Sequence, residues 1–151
     1  MTTILEGVDG VKAHVGQHLG YSEWRTITQD QVNQFADATD DHQWIHVDIE
    51  RAKKGPFGGP IAHGYLTLAL APALMAEVYE VKGIKMGVNY GCGKVRFITP
   101  VPVGGRVRLG AVLSSVDEVA GGLQANIELT FEIEGVERPA CVAEGIYRWI
   151  F

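Results

Sequence analysis

Between Ile61 and Val81 the chain reads Ile-Ala-His-Gly-Tyr-Leu-Thr-Leu-Ala-Leu-Ala-Pro-Ala-Leu-Met-Ala-Glu-Val-Tyr-Glu-Val, which is apolar on nearly every face of a helix. A surface helix needs cover on one side only, whereas a helix that is apolar all round must be enclosed. Either a bilayer or the rest of the chain can enclose it. His63, Pro72 and Glu77 interrupt the run below the roughly 20 continuous apolar residues a membrane span requires, so a core helix wrapped by sheet is the reading that remains. Pro72 should cost that helix a backbone hydrogen bond and bend or split it.

The strands that could wrap it are legible. Leu123 to Glu134 alternates apolar and polar residues without an error, so one face is buried and the other wet. Arg106 to Val116 and Ala140 to Ile150 flank it, joined through Ala120-Gly121-Gly122 and Gly135 as in an antiparallel meander. Gly83 to Tyr90 and Lys94 to Ile98 read as two further strands, and Tyr21 to Ile27 as a short one. Thr28 offers an N-cap, with Gln31 as capping-box partner, to a helix running to about Ala38 whose stripe is Val32, Phe35 and Ala36. Asp48 to Lys54 can make one or two helical turns before the Gly55-to-Pro60 breaker cluster. One enclosed helix with several antiparallel strands is an α+β pattern, a curved antiparallel sheet wrapped around a buried helix: the hot-dog fold. A sheet of about five strands leaves open edges, and pairing two sheets edge to edge closes them, which predicts a homodimer.

With 151 residues the chain should form a single domain over 1–151. A net charge of -5 without a basic run speaks against nucleic acid or an anionic membrane as partner, because both need clustered Lys and Arg. A small molecule is the expected ligand. Cys92 and Cys141 form no CxxC, which excludes a zinc ribbon or thioredoxin-like motif and is consistent with reduced thiols. Met1 to Gly20 lacks a basic region followed by an apolar run, so a cytoplasmic location is expected.

The chemistry concentrates in Ala36-Asp37-Ala38-Thr39-Asp40-Asp41-His42-Gln43-Trp44-Ile45-His46-Val47-Asp48, a segment that reads as loop. If it curls, Asp41 and His46 can face one cleft as a carboxylate and an imidazole for proton transfer. Alone, each has a plainer reading: a solvated or capping carboxylate, and a satisfied structural imidazole. His42 and His46 could ligate a metal from one helical face, but no Glu follows the first His and a helix is not expected there, so no metal is assigned. Gly91-Cys92-Gly93-Lys94 lacks the spacing of a phosphate-binding P-loop and reads as a bulge between strands. No GxSxG elbow is present.

Asp40-Asp41-His42-Gln43-Trp44-Ile45-His46, followed by Ala62-His63-Gly64, resembles the motif of the MaoC-like family of (R)-specific enoyl-CoA hydratases, usually Gly-Asp-x-Asn-Pro-Leu-His and then Ala-His-Gly. Asp41 and His46 match. Asp40 stands where Gly is usual, and Gln43-Trp44 where Asn-Pro is usual. A weaker likeness continues through Asn89 to Phe97 and Pro100 to Gly104.

The resemblance implies addition of water to a trans-2-enoyl-CoA, giving the (R)-3-hydroxyacyl-CoA. Asp41 and His46 would share the water, and the Gly64 N–H would face the thioester oxygen as negative charge builds there. No cofactor is implied, because coenzyme A is part of the substrate. Lys85, Lys94 and Arg96 are candidates for its phosphates, Lys94 and Arg96 foremost, against the plainer reading of a solvated strand face. His63 is read as packing or hydrogen-bonding at the helix start, and Asp40, His42 and Asp48 as surface or supporting residues. An acyl-CoA thioesterase, an acyl-ACP dehydratase subunit and a non-catalytic acyl-binding module are the alternatives.

Overall fold

A computed structural model describes residues 1–151. In chain order the elements are β1 Thr3–Glu6, α1 Gly7–Ala13, β2 His18–Tyr21, β3 Arg25–Thr26, α2 Gln29–Thr39, α3 Trp44–Val47 and α4 Ile49–Lys53. Then follow α5 Gly64–Ala69, α6 Ala71–Val78, β4 Tyr79–Lys82, β5 Met86–Phe97, β6 Arg106–Val119, β7 Gly122–Ile133 and β8 Cys141–Ile150.

The alternation in β7 does what its pattern requires: Leu123, Ala125, Ile127, Leu129, Phe131 and Ile133 are all buried. β7 lies mid-sheet in the order β2-β6-β7-β8-β5, with β3 also on β6, and every pairing in this sheet is antiparallel. Its buried face packs on α5 and α6, where Leu66, Leu70, Leu74 and Val78 join Leu109, Ile127, Phe131 and Trp149 in one core. Each fully buried Leu or Phe side chain contributes roughly 1.5–3 kcal/mol.

The helical run expected from Ile61 to Val81 is split near Pro72, as a proline there requires, and is corrected at its C-terminal end. It breaks at Leu70, and Pro72 falls in the first turn of α6, where a missing N–H is tolerated. It ends at Val78. Tyr79 and Val81 are buried while Glu80 and Lys82 are exposed, a period of two that belongs to a strand, and this β4 pairs in parallel with β1. The N-terminal elements β1 and α1 carry no strong sequence signal and were not expected.

Two strand expectations also change. Tyr21 to Ile27 is interrupted after Tyr21, but Ser22 keeps contact with β6: its N–H donates to the Leu109 carbonyl at 2.8 Å and its hydroxyl accepts the Leu109 N–H at 2.9 Å. The segments Gly83 to Tyr90 and Lys94 to Ile98 merge into the single strand β5, whose register slips between Asn89 and Gly91 and again between Cys92 and Val95. Gly91 to Lys94 therefore bulges within one strand, and Glu144 accepts the Lys94 N–H at 3.0 Å at the second slip. β5 is an edge strand with Met86, Val88, Tyr90 and Phe97 exposed.

Candidate active site

The site is built outward from the end of α2. Thr28 caps the start of that helix by accepting the Gln31 N–H at 3.1 Å. At the other end Asp40 adopts φ 62° and ψ 25°, the left-handed conformation that stops a helix, and Asp41 donates its N–H to the Ala36 carbonyl at 3.1 Å. Asp40 is the one non-glycine residue of the chain with positive φ. Asp tolerates this region better than most residues, which explains how it can stand where the related motif has Gly.

The second departure has a similar account. Gln43 is extended at φ -57° and ψ 140°, and Trp44 is the first residue of α3. Extended backbone followed by a helix start is the place for an X-Pro pair, so Gln43-Trp44 follows the path Asn-Pro would set. The Trp44 ring rests under the Arg51 guanidinium, 4.3 Å from its centroid, and over Gly55, where a β-carbon would come within 2.9 Å of it. The loop reading is corrected here: Trp44–Val47 is a helical turn. That turn swings His46 inward, while His42 stays at the surface against Asp37 at 2.8 Å, so the two histidines do not converge.

His46 is 6% exposed and gripped from several sides. Its Nδ1 lies 2.6 Å from the Ile61 carbonyl, which can only accept, so Nδ1 carries the proton and Nε2 is bare in the neutral ring. Gln29 donates from Nε2 to the His46 carbonyl at 2.8 Å. Burial pushes the His46 pKa below its ordinary value; the Ile61 hydrogen bond works against this, nearby His63 adds to the lowering, and Asp41 opposes it.

His63 caps α5, donates from Nε2 to the Asp41 carbonyl at 3.0 Å, and stacks on His46 with ring centroids 3.9 Å apart and planes 23° from parallel. A carboxylate oxygen of Asp41 and a ring nitrogen of each histidine all lie within 4.8 Å of one another. Two groups that share one water sit at most about 5.6 Å apart, so the Asp41–His46 spacing suits a bridging water. The trio is poorly arranged for one metal ion, because an imidazole binds metal in its ring plane and two stacked rings have no common in-plane point close to both nitrogens.

Gly64, the first residue of α5, has an N–H with no intrahelical acceptor. His46 and Gly64 line one cavity of about 210 Å³ with Thr67, Phe97 and Thr99. Between α5–α6 and β5 lie two larger apolar hollows of about 530 and 550 Å³, which share Pro72, Asn89 and Tyr147. Phe35 and Tyr65 at the first hollow also touch the site, Phe35 packing on His63 and Tyr65 edge-on to Phe97.

The structure thus brings Asp41 close to His46, and His46 and Gly64 to one cavity, whose lining does not include Asp41. It does not bring Lys94 or Arg96 to the cavity: Lys94 lines a depression with Glu128 and Glu144, and Arg96 donates to the Val95 carbonyl at 2.7 Å. Sequence reasoning missed Phe97 and Gln29, whose parts in the site depend on contacts between distant elements.

Comparison with known proteins agrees with this architecture. The profile of the MaoC like domain matches residues 11–130, so the chain belongs to the MaoC-like dehydratase family, and its sheet around α5–α6 is the hot-dog fold. A Mycobacterium tuberculosis protein named 3-hydroxyacyl-thioester dehydratase Z is 55% identical over 146 residues, covering 96% of this chain and 97% of that protein. Nodulation protein N of Rhizobium leguminosarum bv. viciae is 48% identical over 139 residues, covering 90% of this chain and 86% of that protein. Among solved structures, the (R)-hydratase from A. caviae involved in PHA biosynthesis superposes with a TM-score of 0.73 over 88% of this chain and 94% of that one; at 24% identity this is a likeness of fold. No helix is long and apolar enough to cross a membrane.

Proposed function

We propose that this dehydratase interconverts a trans-2-enoyl-CoA and the (R)-3-hydroxyacyl-CoA, with Asp41 and His46 handling the water and the Gly64 N–H receiving the charge. The observation that carries the reading is His46, whose Nδ1 is held by the Ile61 carbonyl, with a ring nitrogen within 4.8 Å of an Asp41 carboxylate oxygen and a place on the cavity that Gly64 also lines. The 3-hydroxyacyl-thioester activity in the name of the Mycobacterium tuberculosis relative supports it.

Water is too weak an acid to attack an alkene unaided. Held between Asp41 and His46, it loses a proton as its oxygen bonds to C3, and a proton is returned to C2. Charge moves onto the thioester oxygen during attack, where a preorganised backbone donor typically lowers the barrier by about 3 kcal/mol. His46 must be neutral to accept a proton, and its lowered pKa favours that form. No cofactor takes part. The acyl chain runs into the hollows beside β5, and a second copy of the chain covers that open edge, giving a homodimer that works in the cytoplasm.

The test follows loss of the conjugated enoyl-thioester absorbance with crotonyl-CoA and a longer trans-2-enoyl-CoA, with stereochemical analysis of the product. Wild type should form the (R)-product, and Asp41→Asn and His46→Gln should each abolish turnover while remaining folded. Absence of turnover by folded wild type on both substrates would sink the reading; release of free thiol would point to a thioesterase.

A further inference from the structure

His63 does not line the cavity, yet it touches every part of the proposed machinery. Its Nε2–H donates to the Asp41 carbonyl at 3.0 Å, which ties down the backbone that carries the carboxylate. One side of its ring stacks on His46, centroids 3.9 Å apart, and Phe35 packs against it at 4.9 Å. Its carbonyl accepts the Leu66 and Thr67 N–H groups at 3.1 and 3.3 Å, which starts the helix whose first residue is Gly64.

Core packing alone does not account for this residue. At 3% exposure its Nδ1 is buried without a hydrogen-bond partner, a penalty that Phe or Leu would avoid while filling the same space. What an apolar residue could not supply is the grip on Asp41. We infer that His63 is a positioning residue which sets Asp41, His46 and Gly64 relative to one another. The inference rests on the hydration reading given above.

The titratable groups that face His46 are Asp41, from the link between α2 and α3, and His63, from the start of α5. Replacing His63 with Phe removes one neighbour that lowers the His46 pKa and keeps the burial that also lowers it, so the His46 midpoint should rise toward the ordinary imidazole value.

The experiment compares His63→Gln, which keeps an N–H donor but loses the ring, with His63→Phe, which keeps the ring but loses the donor. Steady-state kinetics on a trans-2-enoyl-CoA, normalised to folded protein, are read beside an NMR titration of the His46 ring. Because misplacing reacting groups by about 1 Å can cost on the order of 100-fold, kcat should fall about 10- to 100-fold in His63→Phe with KM nearly unchanged. His63→Gln should retain more of kcat, and the His46 midpoint should move up in His63→Phe. Folded variants with kcat within about twofold of wild type and an unmoved His46 midpoint would overturn the inference, since a merely structural residue would alter stability and leave both readouts alone. If wild type turns over no enoyl thioester, the hydration reading fails separately. Hydrogen exchange at the Asp41 amide, which donates to the Ala36 carbonyl, then decides: faster exchange in His63→Phe upholds the clamp and an unchanged rate ends it.

Discussion

The Phe97 ring covers Gly64 so closely that a β-carbon added at position 64 would stand 2.9 Å from Phe97 Cγ. Gly64→Ala must therefore displace either the ring that lines the cavity or the start of α5. Overpacking of this kind costs about 1–3 kcal/mol of stability, and the shifted N–H should lower kcat about 10- to 100-fold. Denaturant titration and steady-state kinetics check both. The double variant Gly64→Ala/Phe97→Leu should recover part of the stability, because the ring is the obstacle.

The acidic limb of the pH profile follows from His46. Its folded-state pKa is below the ordinary value of about 6.5, so the neutral, proton-accepting form persists to lower pH than in free imidazole. The acidic limb of kcat/KM assigned to this group should lie below about 6.5. For stability the sign is the same: between the lowered folded value and about 6.5 the unfolded chain binds the extra proton. His46 thus contributes stability that is present above that window and lost as pH falls through it, which thermal melts across the range can follow.

Asp40→Gly should stabilise the protein. The side chain holds a left-handed conformation that glycine adopts without penalty, and its carboxylate makes only a long contact with His42, at 3.5 Å on the surface. A gain of about 0.5–1 kcal/mol, or a rise in Tm of about 1–4 °C, is expected with activity retained. A fall in Tm would show that the Asp40 carboxylate supports the turn.

The open edge at β5 makes a prediction about assembly. Met86→Lys with Val88→Lys places two charges on the exposed apolar stretch of that strand. If a second copy pairs there, dimer affinity should weaken about 100-fold or more. Sedimentation velocity over a concentration series reads the change, and an unaltered dimer would place the contact elsewhere.

How much the sequence disclosed depended on how local each signal was. The β7 alternation was legible because one buried face imposes a strict period of two. Thr28 was legible as a cap because a short side chain must answer a free N–H three residues on. The strand at Tyr79 was hidden because its partner, β1, lies at the far end of the chain, and a helical run of apolar residues leads directly into it. Asp41 and His46 could be paired through a family motif, but the turn at Trp44–Val47 that aims His46 inward was masked by neighbours that read as loop. The link from His63 to the Asp41 carbonyl joins residues on separate elements, and no spacing rule encodes it.

The strand order β2-β6-β7-β8-β5 seats the last strand of the chain between two that precede it. β5 therefore has no partner in its own sheet while β6 and β7 zip together, and it acquires one only when Phe97 meets Cys141 and Met86 meets Ile150. Such distant closures are slow. A nascent chain should thus pass through a stage in which the β6–β7 hairpin is formed and β5 is still an unpaired strand open to mispairing, and completion of β8 ends that exposure.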